Sequence, residues 1–392
     1  MQSLRWEGNK EIVEVIPVAD EMPKTLHALL AQLDAEGITD YRRYREVRRF
    51  MNFKARETNT PISGSFELTP LCNLDCKMCY VHLNKDQMNG AQLLPTEAWK
   101  DIMKQAVEAG MMYARVTGGE CLTYLGFKEL YCYLRDMGVE VTILSNGILM
   151  DSGMVEFLKE NRPAGVQITL YGASEDAYER VTGHREFERV IANIRRLRSV
   201  GIPVTVAVTP NAYMTDSLEV VQLLHDEGIC FNINPGLMEP REETGRNRAD
   251  ADLDTYVDMM KLRRKLSGKV VEPVCDPEDL PDPITEGTPV RGVRCGAGRN
   301  AFAIDWRGQM CPCNTFPCEA VDVLKLSFDT AWKQINQIAL NFLRPAECED
   351  CHYNPICKHC IAEHAVGNEI GHANPAVCRW GRRMVYEGLA VL

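Results

Sequence analysis

The most constraining feature of this chain is an alternation. Short apolar runs rich in β-branched residues fall at 65–69, 114–117, 139–144, 166–170, 204–208 and 229–233. Helical patterns lie between them, at 96–109, 127–137, 154–160, 187–200 and 217–227. Thr96 is the expected N-cap of the first of these helices. Gly110, Gly138, Gly201 and Gly228 sit just past helix ends, where a left-handed C-cap suits glycine. Repeated strand–helix units demand a parallel sheet with right-handed crossovers. Six units are too few for an eight-fold barrel, so an α/β fold with a curved, partial (β/α)6 barrel is expected.

Before this core, Leu26, Leu29, Leu30 and Leu33 follow helical spacing, and residues 41–56 form a second expected helix. That helix is dense in arginine: Arg42, Arg43, Arg45, Arg48, Arg49 and Arg56. It reads as a solvated, salt-bridged face or as a docking surface for an acidic segment. After the core, 250–267 reads as a connecting helix and 272–289 as a proline- and acid-rich linker or lid-like loop. The expected organisation is an N-terminal helical extension over 1–62, the barrel over 63–265, and a linker with a small cysteine-dense module of little periodicity over 266–392.

The chain has 44 basic and 55 acidic side chains, a formal charge of −11. That balance disfavours a nucleic-acid partner. Residues 1–13 show no secretory pattern, and no stretch approaches the apolar length that spans a bilayer. A cytoplasmic location is therefore expected, which makes sixteen cysteines anomalous. In a reducing compartment such thiols are better read as metal ligands or catalytic groups than as disulfides.

The cysteines group in two places. Cys72, Cys76 and Cys79 form C-x3-C-x2-C directly after the first strand, where parallel sheets present reactive groups. Three thiolates ligate three irons of a [4Fe–4S] cube and leave the fourth open; zinc is the alternative for such a triplet. Gly118-Gly119-Glu120 ends the second strand, Ser145-Asn146-Gly147 the third, and Gln167-Ile168-Thr169-Leu170-Tyr171-Gly172 the fourth. Glycines allow close backbone approach and a carboxylate suits an ammonium.

This ordered set resembles the radical S-adenosylmethionine (SAM) superfamily over about residues 63–235. The resemblance implies that the open iron chelates the methionine part of SAM. Electron transfer then yields methionine and a 5′-deoxyadenosyl radical, which takes a hydrogen from the substrate. It also implies SAM contacts at Tyr80, Gly118, Gly119, Glu120, Ser145, Asn146, Thr169 and Arg180, with Glu120 near the amino group, Ser145 and Asn146 near the ribose, and Arg180 near the carboxylate. Where the family has an aromatic residue before the third cysteine, this chain has Met78, with Tyr80 just after.

In the C-terminal region Cys295-x12-Gly308-x4-Cys313 precedes Cys348-x2-Cys351-x5-Cys357-x2-Cys360 and Cys378, with a hairpin expected over 304–310. This resembles the SPASM extension, which carries two auxiliary [4Fe–4S] clusters, although the last spacing is x2 rather than x3. The resemblance implies that Cys348, Cys351, Cys357 and Cys378 hold an outer cluster. Cys295, Cys313 and Cys360 would hold an inner one whose fourth ligand is Cys311, Cys318 or the substrate. Zinc is the alternative for Cys348 to Cys360. His352, His359 and His364 read as structural or exposed. Cys121, Cys132, Cys230 and Cys275 read as small hydrophobes, one of which could donate hydrogen to a substrate radical.

SPASM relatives mostly modify peptides by crosslinking, thioether formation, epimerisation or oxidation, which makes ribosomal-peptide maturation the leading expectation. Cys313 is followed by Asn314, where sulfatase-maturing members carry an aspartate. Expected partners are a peptide, a reductant protein such as flavodoxin or ferredoxin, and a separate leader-binding protein, since 1–62 is short for a leader-binding domain. The competing expectations are a radical SAM enzyme for a small molecule and a non-catalytic iron–sulfur electron carrier.

Overall fold

The computed structural model describes residues 23–39, 41–269, 280–283, 287, 290–316, 318–357, 360–365 and 368–390. Most of the 272–289 stretch, together with Cys275 and His359, lies outside them.

Two N-terminal helices, α1 (Leu26–Ala35) and α2 (Tyr41–Thr58), pair through Leu29, Leu33 and Phe50. The six strands of the core are β1 (Ser63–Glu67), β2 (Tyr113–Thr117), β3 (Glu140–Ser145), β4 (Gly165–Leu170), β5 (Val204–Val208) and β6 (Phe231–Ile233). All are parallel, in the spatial order of the sequence. Between them run α3 (Thr96–Glu108), α4 (Phe127–Asp136), α5 (Ser152–Glu160), α6 (Glu175–Thr182), α7 (Phe187–Ser199) and α8 (Ser217–Asp226). Gly110, Gly138, Gly201 and Gly228 all have positive φ at the expected helix ends. Thr96 is not the N-cap of α3. Pro95 occupies that position and Thr96 is the first helical residue, its hydroxyl 3.4 Å from that of Tyr124. Proline fits the boundary because its fixed φ leads into the helix.

Strand register explains the two faces of the sheet. Phe66, Val116, Ile143, Val166 and Val204 lie side by side in one row, all buried. Helices cover this face, and Trp99 of α3 meets Phe66 edge-on at 6.0 Å between centroids. Each such large apolar side chain contributes about 1.5–3 kcal/mol on burial. One residue further along, on the inner face, the row reads Glu67 and Thr117 on β1 and β2, and Leu144, Gln167 and Thr205 on β3 to β5. A polar inner face is what a sheet that curves around a ligand rather than a core requires.

After α9 (Leu253–Leu266), the C-terminal region begins with β7 (Val290–Arg291). The hairpin β8 (Ala301–Ile304) and β9 (Gln309–Cys311) follows as expected, turning at Gly308 with φ 80°, and then comes β10 (Val321–Asp322). β8 pairs in parallel with β1, so among the described residues the sheet has nine strands, in the order β10-β9-β8-β1-β2-β3-β4-β5-β6. The region also has more regular structure than its weak periodicity suggests. α10 (Phe328–Asn341) buries Phe328, Trp332 and Ile335, β11 (Leu343–Arg344) pairs with β7, and α11 (Ile361–Ala365) and α12 (Pro375–Tyr386) follow. Short connections and dense cysteines hide these helices in the sequence.

Helix α2 packs at the N-terminal ends of the strands. Arg48 lies 4.4 Å over the Tyr113 ring, and Arg56 donates to the Arg294 carbonyl at 3.4 Å. Asn52 accepts from Asn300 at 3.0 Å. Its arginines are thus split, with Arg42 and Arg45 exposed while Arg48 and Arg56 join the helix to the barrel and the C-terminal region. Among the described residues, no helix is long and apolar enough to cross a membrane.

Candidate active site

The cysteine loop leaves the C-terminal end of β1 and is fastened from three sides. From β2, Gly119 N–H donates to the Thr69 carbonyl at 2.7 Å and Glu120 N–H to the Leu71 carbonyl at 2.8 Å. A Cβ on Gly118 would lie 2.4 Å from Thr69 O, and one on Gly119 would lie 2.4 Å from Pro70 O and 2.5 Å from Leu71 O. These glycines therefore admit the backbone of the cysteine loop itself. From α6, the Thr182 and Val181 carbonyls accept from Asp75 N–H at 3.0 Å and Lys77 N–H at 3.1 Å. From the loop after β6, Arg246 pairs with Asp75 and donates to the His82 carbonyl at 2.9 Å.

The three thiols share this loop closely enough that each raises the cost of ionising Cys76. Burial pushes Cys72 up to about 12 and pushes Cys76 upward as well. The bare chain therefore keeps both as thiols, and metal binding must release their protons. Donors already face the sulfurs: Leu74 N–H at 3.4 Å and Asn146 Nδ2 at 3.6 Å for Cys72, and His82 N–H at 3.3 Å for Cys79. Among the described residues, no three His, Cys, Asp or Glu side chains converge tightly enough for a single metal ion. A cube, whose ligands bind separate irons, does not ask for that. Three neighbouring thiols, hydrogen-bond donors around them and no fourth protein donor in the motif suit a trithiolate cluster.

Glu120 is fully buried, and burial raises its pKa above the ordinary carboxylate value. Its oxygens accept from Ser145 Oγ at 3.0 and 3.1 Å, Asn146 N–H at 2.7 Å and Leu122 N–H at 3.1 Å. The carboxylate thus ties the ends of β2 and β3 together. Thr169 lies on β4 between buried Ile168 and Leu170, on the inner face with Gln167. Arg180 is exposed on α6 and donates to Thr215 Oγ1 at 2.5 Å, a partner outside both the cysteine loop and the Glu120 cluster.

A pair unread in the sequence sits at the end of β1. Glu67 is completely buried and accepts a bidentate pair of hydrogen bonds from Arg241 at 2.7 and 2.8 Å. Burial raises the Glu67 pKa, and Arg241 opposes that rise. Tyr80 packs beside this pair, and burial pushes its phenol pKa upward. The signal for Glu67 was a carboxylate in an otherwise small or apolar strand; Arg241 and Arg246, in an irregular loop, gave none.

Tyr80 and Arg241 also line a cavity of about 660 Å³ between the barrel mouth and the C-terminal region. Its far wall includes Asp305, Arg307, Cys311, Cys313 and Asn314. Cys313 lies within electrostatic range of Cys295 and Cys360, so the expected inner trio is brought together. Cys311 and Cys318 hydrogen-bond to each other. Of these two, Cys318 senses Cys313, whereas Cys311 senses Asp305 and Arg241. Cys348, Cys351, Cys357 and Cys378 line one small cavity with Tyr353 and His364. His364 is buried and accepts from Asn374 N–H at 3.1 Å, while His352 is exposed. Every cysteine among the described residues is a free thiol. Cys121 is buried against the Leu144 carbonyl at 3.3 Å, consistent with a packing role.

A parallel, partial α/β barrel with three grouped thiols at the end of its first strand is an α/β fold whose site suits an iron–sulfur cluster. Residues 66–210, which span most of the barrel, match the model of the radical SAM superfamily. It is 30% identical over 200 residues to the sporulation killing factor maturation protein SkfB of Bacillus subtilis (strain 168), covering 50% of this chain and 48% of that one. The match thus spans about half the length of SkfB. The antilisterial bacteriocin subtilosin biosynthesis protein AlbA of the same organism is 24% identical over 351 residues, 86% of this chain and 75% of its own. In fold, the chain resembles the crystal structure of Streptococcus suis SuiB bound to precursor peptide SuiA, with a TM-score of 0.60 at 16% identity, covering 90% of this chain and 87% of the other.

Proposed function

We propose that this chain is an enzyme that reductively cleaves SAM and uses the resulting 5′-deoxyadenosyl radical to modify a ribosomally made peptide. The observation that carries the reading is the cysteine loop: three neighbouring thiols at the end of β1, held by the Gly119 and Glu120 backbone in a radical SAM fold. A [4Fe–4S] cluster on Cys72, Cys76 and Cys79 would supply the electron for SAM cleavage and an open iron for SAM binding. The chain's own part is to hold that loop, through Glu120, Ser145 and Asn146 on one side and Thr182 and Arg246 on the other. SAM would lie over the ends of β1 to β4, with Tyr80, Gly118, Gly119, Glu120, Ser145, Thr169 and Arg180 as its proposed contacts; the Asn146 side chain, expected among them, is instead committed to Asn73, Cys72 and Ile148. Arg180 would have to exchange Thr215 for the SAM carboxylate.

The peptide would enter the cavity bounded by Tyr80, Arg241, Asp305 and Cys313. Support comes from AlbA and SkfB, whose names describe biosynthesis and maturation of peptide products, and from SuiB, solved with a precursor peptide. We further propose an inner auxiliary cluster on Cys295, Cys313 and Cys360 and an outer one on Cys348, Cys351, Cys357 and Cys378. The small C-terminal module would extend from residue 266 and the N-terminal helical extension to residue 62. A flavodoxin- or ferredoxin-type reductant, a separate leader-binding protein and a cytoplasmic location complete the proposal.

The test is mass spectrometry of candidate precursor peptides, encoded beside the gene, after anaerobic incubation with SAM and reductant. A mass change that requires SAM and all three loop cysteines supports the reading. Turnover of a metabolite extract with no peptide present would overturn the peptide assignment.

A further inference from the structure

Resting on the cluster reading above, the hydrogen bonds around the three loop thiols point to a further role. Reducing an iron–sulfur cluster adds negative charge that its sulfurs share. Donors aimed at those sulfurs stabilise the reduced form and raise the potential. Backbone donors from Leu74 and His82 serve Cys72 and Cys79, and the Tyr171 hydroxyl serves Cys76. Two further side chains carry donors toward the same thiols.

The first is Asn146, only 6% exposed. Its amide nitrogen donates to Asn73 Oδ1 at 2.7 Å and to Cys72 Sγ at 3.6 Å, and its amide oxygen accepts from Ile148 N–H at 3.0 Å. Its own backbone N–H is held by Glu120 at 2.7 Å. The side chain is thereby aimed at the cysteine loop, and turning it to a ribose would break all three side-chain contacts. The second is Tyr178. It is fully buried, and its hydroxyl has no hydrogen-bond partner among the described residues. Leaving such a group unmet costs about 1–3 kcal/mol. Its ring stands edge-on to Tyr171, with centroids 5.8 Å apart, and Cys76 is the thiol that acts on it most strongly. A buried donor packed against the Tyr171 that serves Cys76, with nothing among the described residues to accept its proton, fits a sulfur that arrives with the cluster.

We propose that Asn146 and Tyr178 are hydrogen-bond donors to the sulfurs of the SAM-binding cluster and set its reduction potential, making it easier to reduce. Asn146 is then a positioning and tuning residue rather than a ribose ligand.

The experiment compares wild type, Tyr178→Phe and Asn146→Ser after anaerobic reconstitution. Potentials come from redox titration followed by electron paramagnetic resonance, and SAM affinity from the change that SAM makes to the same signal. Both variants should titrate at more negative potential than wild type, with SAM affinity unchanged within replicate error. Because the Tyr178 hydroxyl has no partner among the described residues, cluster-free Tyr178→Phe should be no less stable than wild type in urea, which separates tuning from a structural role. Unchanged potentials would overturn the inference, as would an Asn146→Ser protein that loses SAM affinity at wild-type potential. A wild type that binds no [4Fe–4S] cluster would fail earlier, in the proposed function itself, and the inference would fall with it.

Discussion

Gly119→Ala is the substitution whose cost follows most directly from the structure. The new Cβ would lie 2.4 Å from Pro70 O, 2.5 Å from Leu71 O and 2.7 Å from Leu71 C, all backbone atoms that cannot swing aside. The cysteine loop must therefore move away by more than half an ångström. That motion stretches two short hydrogen bonds, Gly119 N–H to Thr69 O at 2.7 Å and Glu120 N–H to Leu71 O at 2.8 Å. Overpacking costs about 1–3 kcal/mol, and the weakened pair adds about 1 kcal/mol for each bond. A destabilisation of about 3–5 kcal/mol is expected, a large share of a typical domain's stability. The assay is urea unfolding of the cluster-free chain, with iron and sulfide content after reconstitution as a second reading. The midpoint should fall, and iron should be lost in an amount close to one cluster. An unchanged midpoint with full iron content would refute the argument that glycine is present for the approach of the loop.

Three other outcomes are expected. Arg241→Met leaves the buried Glu67 carboxylate unpaired and should cost about 3–5 kcal/mol in urea unfolding; Glu67→Gln in the same background should restore part of that loss. The raised pKa of Glu120 means that its contribution to stability is complete below the ordinary value of 4.5 and is lost as pH rises through its folded value. Glu120→Gln should therefore flatten the decline of cluster-free stability above pH 4.5, measured by thermal melts across pH. Replacing Cys348 and Cys378 with Ala should remove one cluster's worth of iron and leave SAM cleavage measurable; zinc in place of iron in that module would contradict the auxiliary-cluster assignment.

The barrel was legible because its signals are local. β-branched runs, helical spacing and glycines past helix ends each act within a few residues, and they located all six parallel strands. The cysteine triplet was legible for the same reason. The joining of the C-terminal hairpin to β1 was not, since Ser63 and Ala301 are distant in sequence and carry no pairing signature. The helices α10 and α12 were obscured by a region in which turns and cysteines dominate. At the site, residue types were readable while their partners were not. Glu120 was read as a ligand group, yet its carboxylate joins β2 to β3 through Ser145 and Asn146. Glu67 finds Arg241 across 174 residues of chain. Such pairs are decided by tertiary packing, which a local pattern cannot carry.

The central claim is tested most directly by anaerobic incubation of the reconstituted chain with SAM and dithionite, scored for 5′-deoxyadenosine and methionine by liquid chromatography–mass spectrometry. Both products should form with wild type and be absent when Cys72, Cys76 and Cys79 are replaced by Ala, while iron in the auxiliary clusters remains. Equal cleavage by the triple variant, or none by a wild type carrying its [4Fe–4S] cluster, would contradict the account.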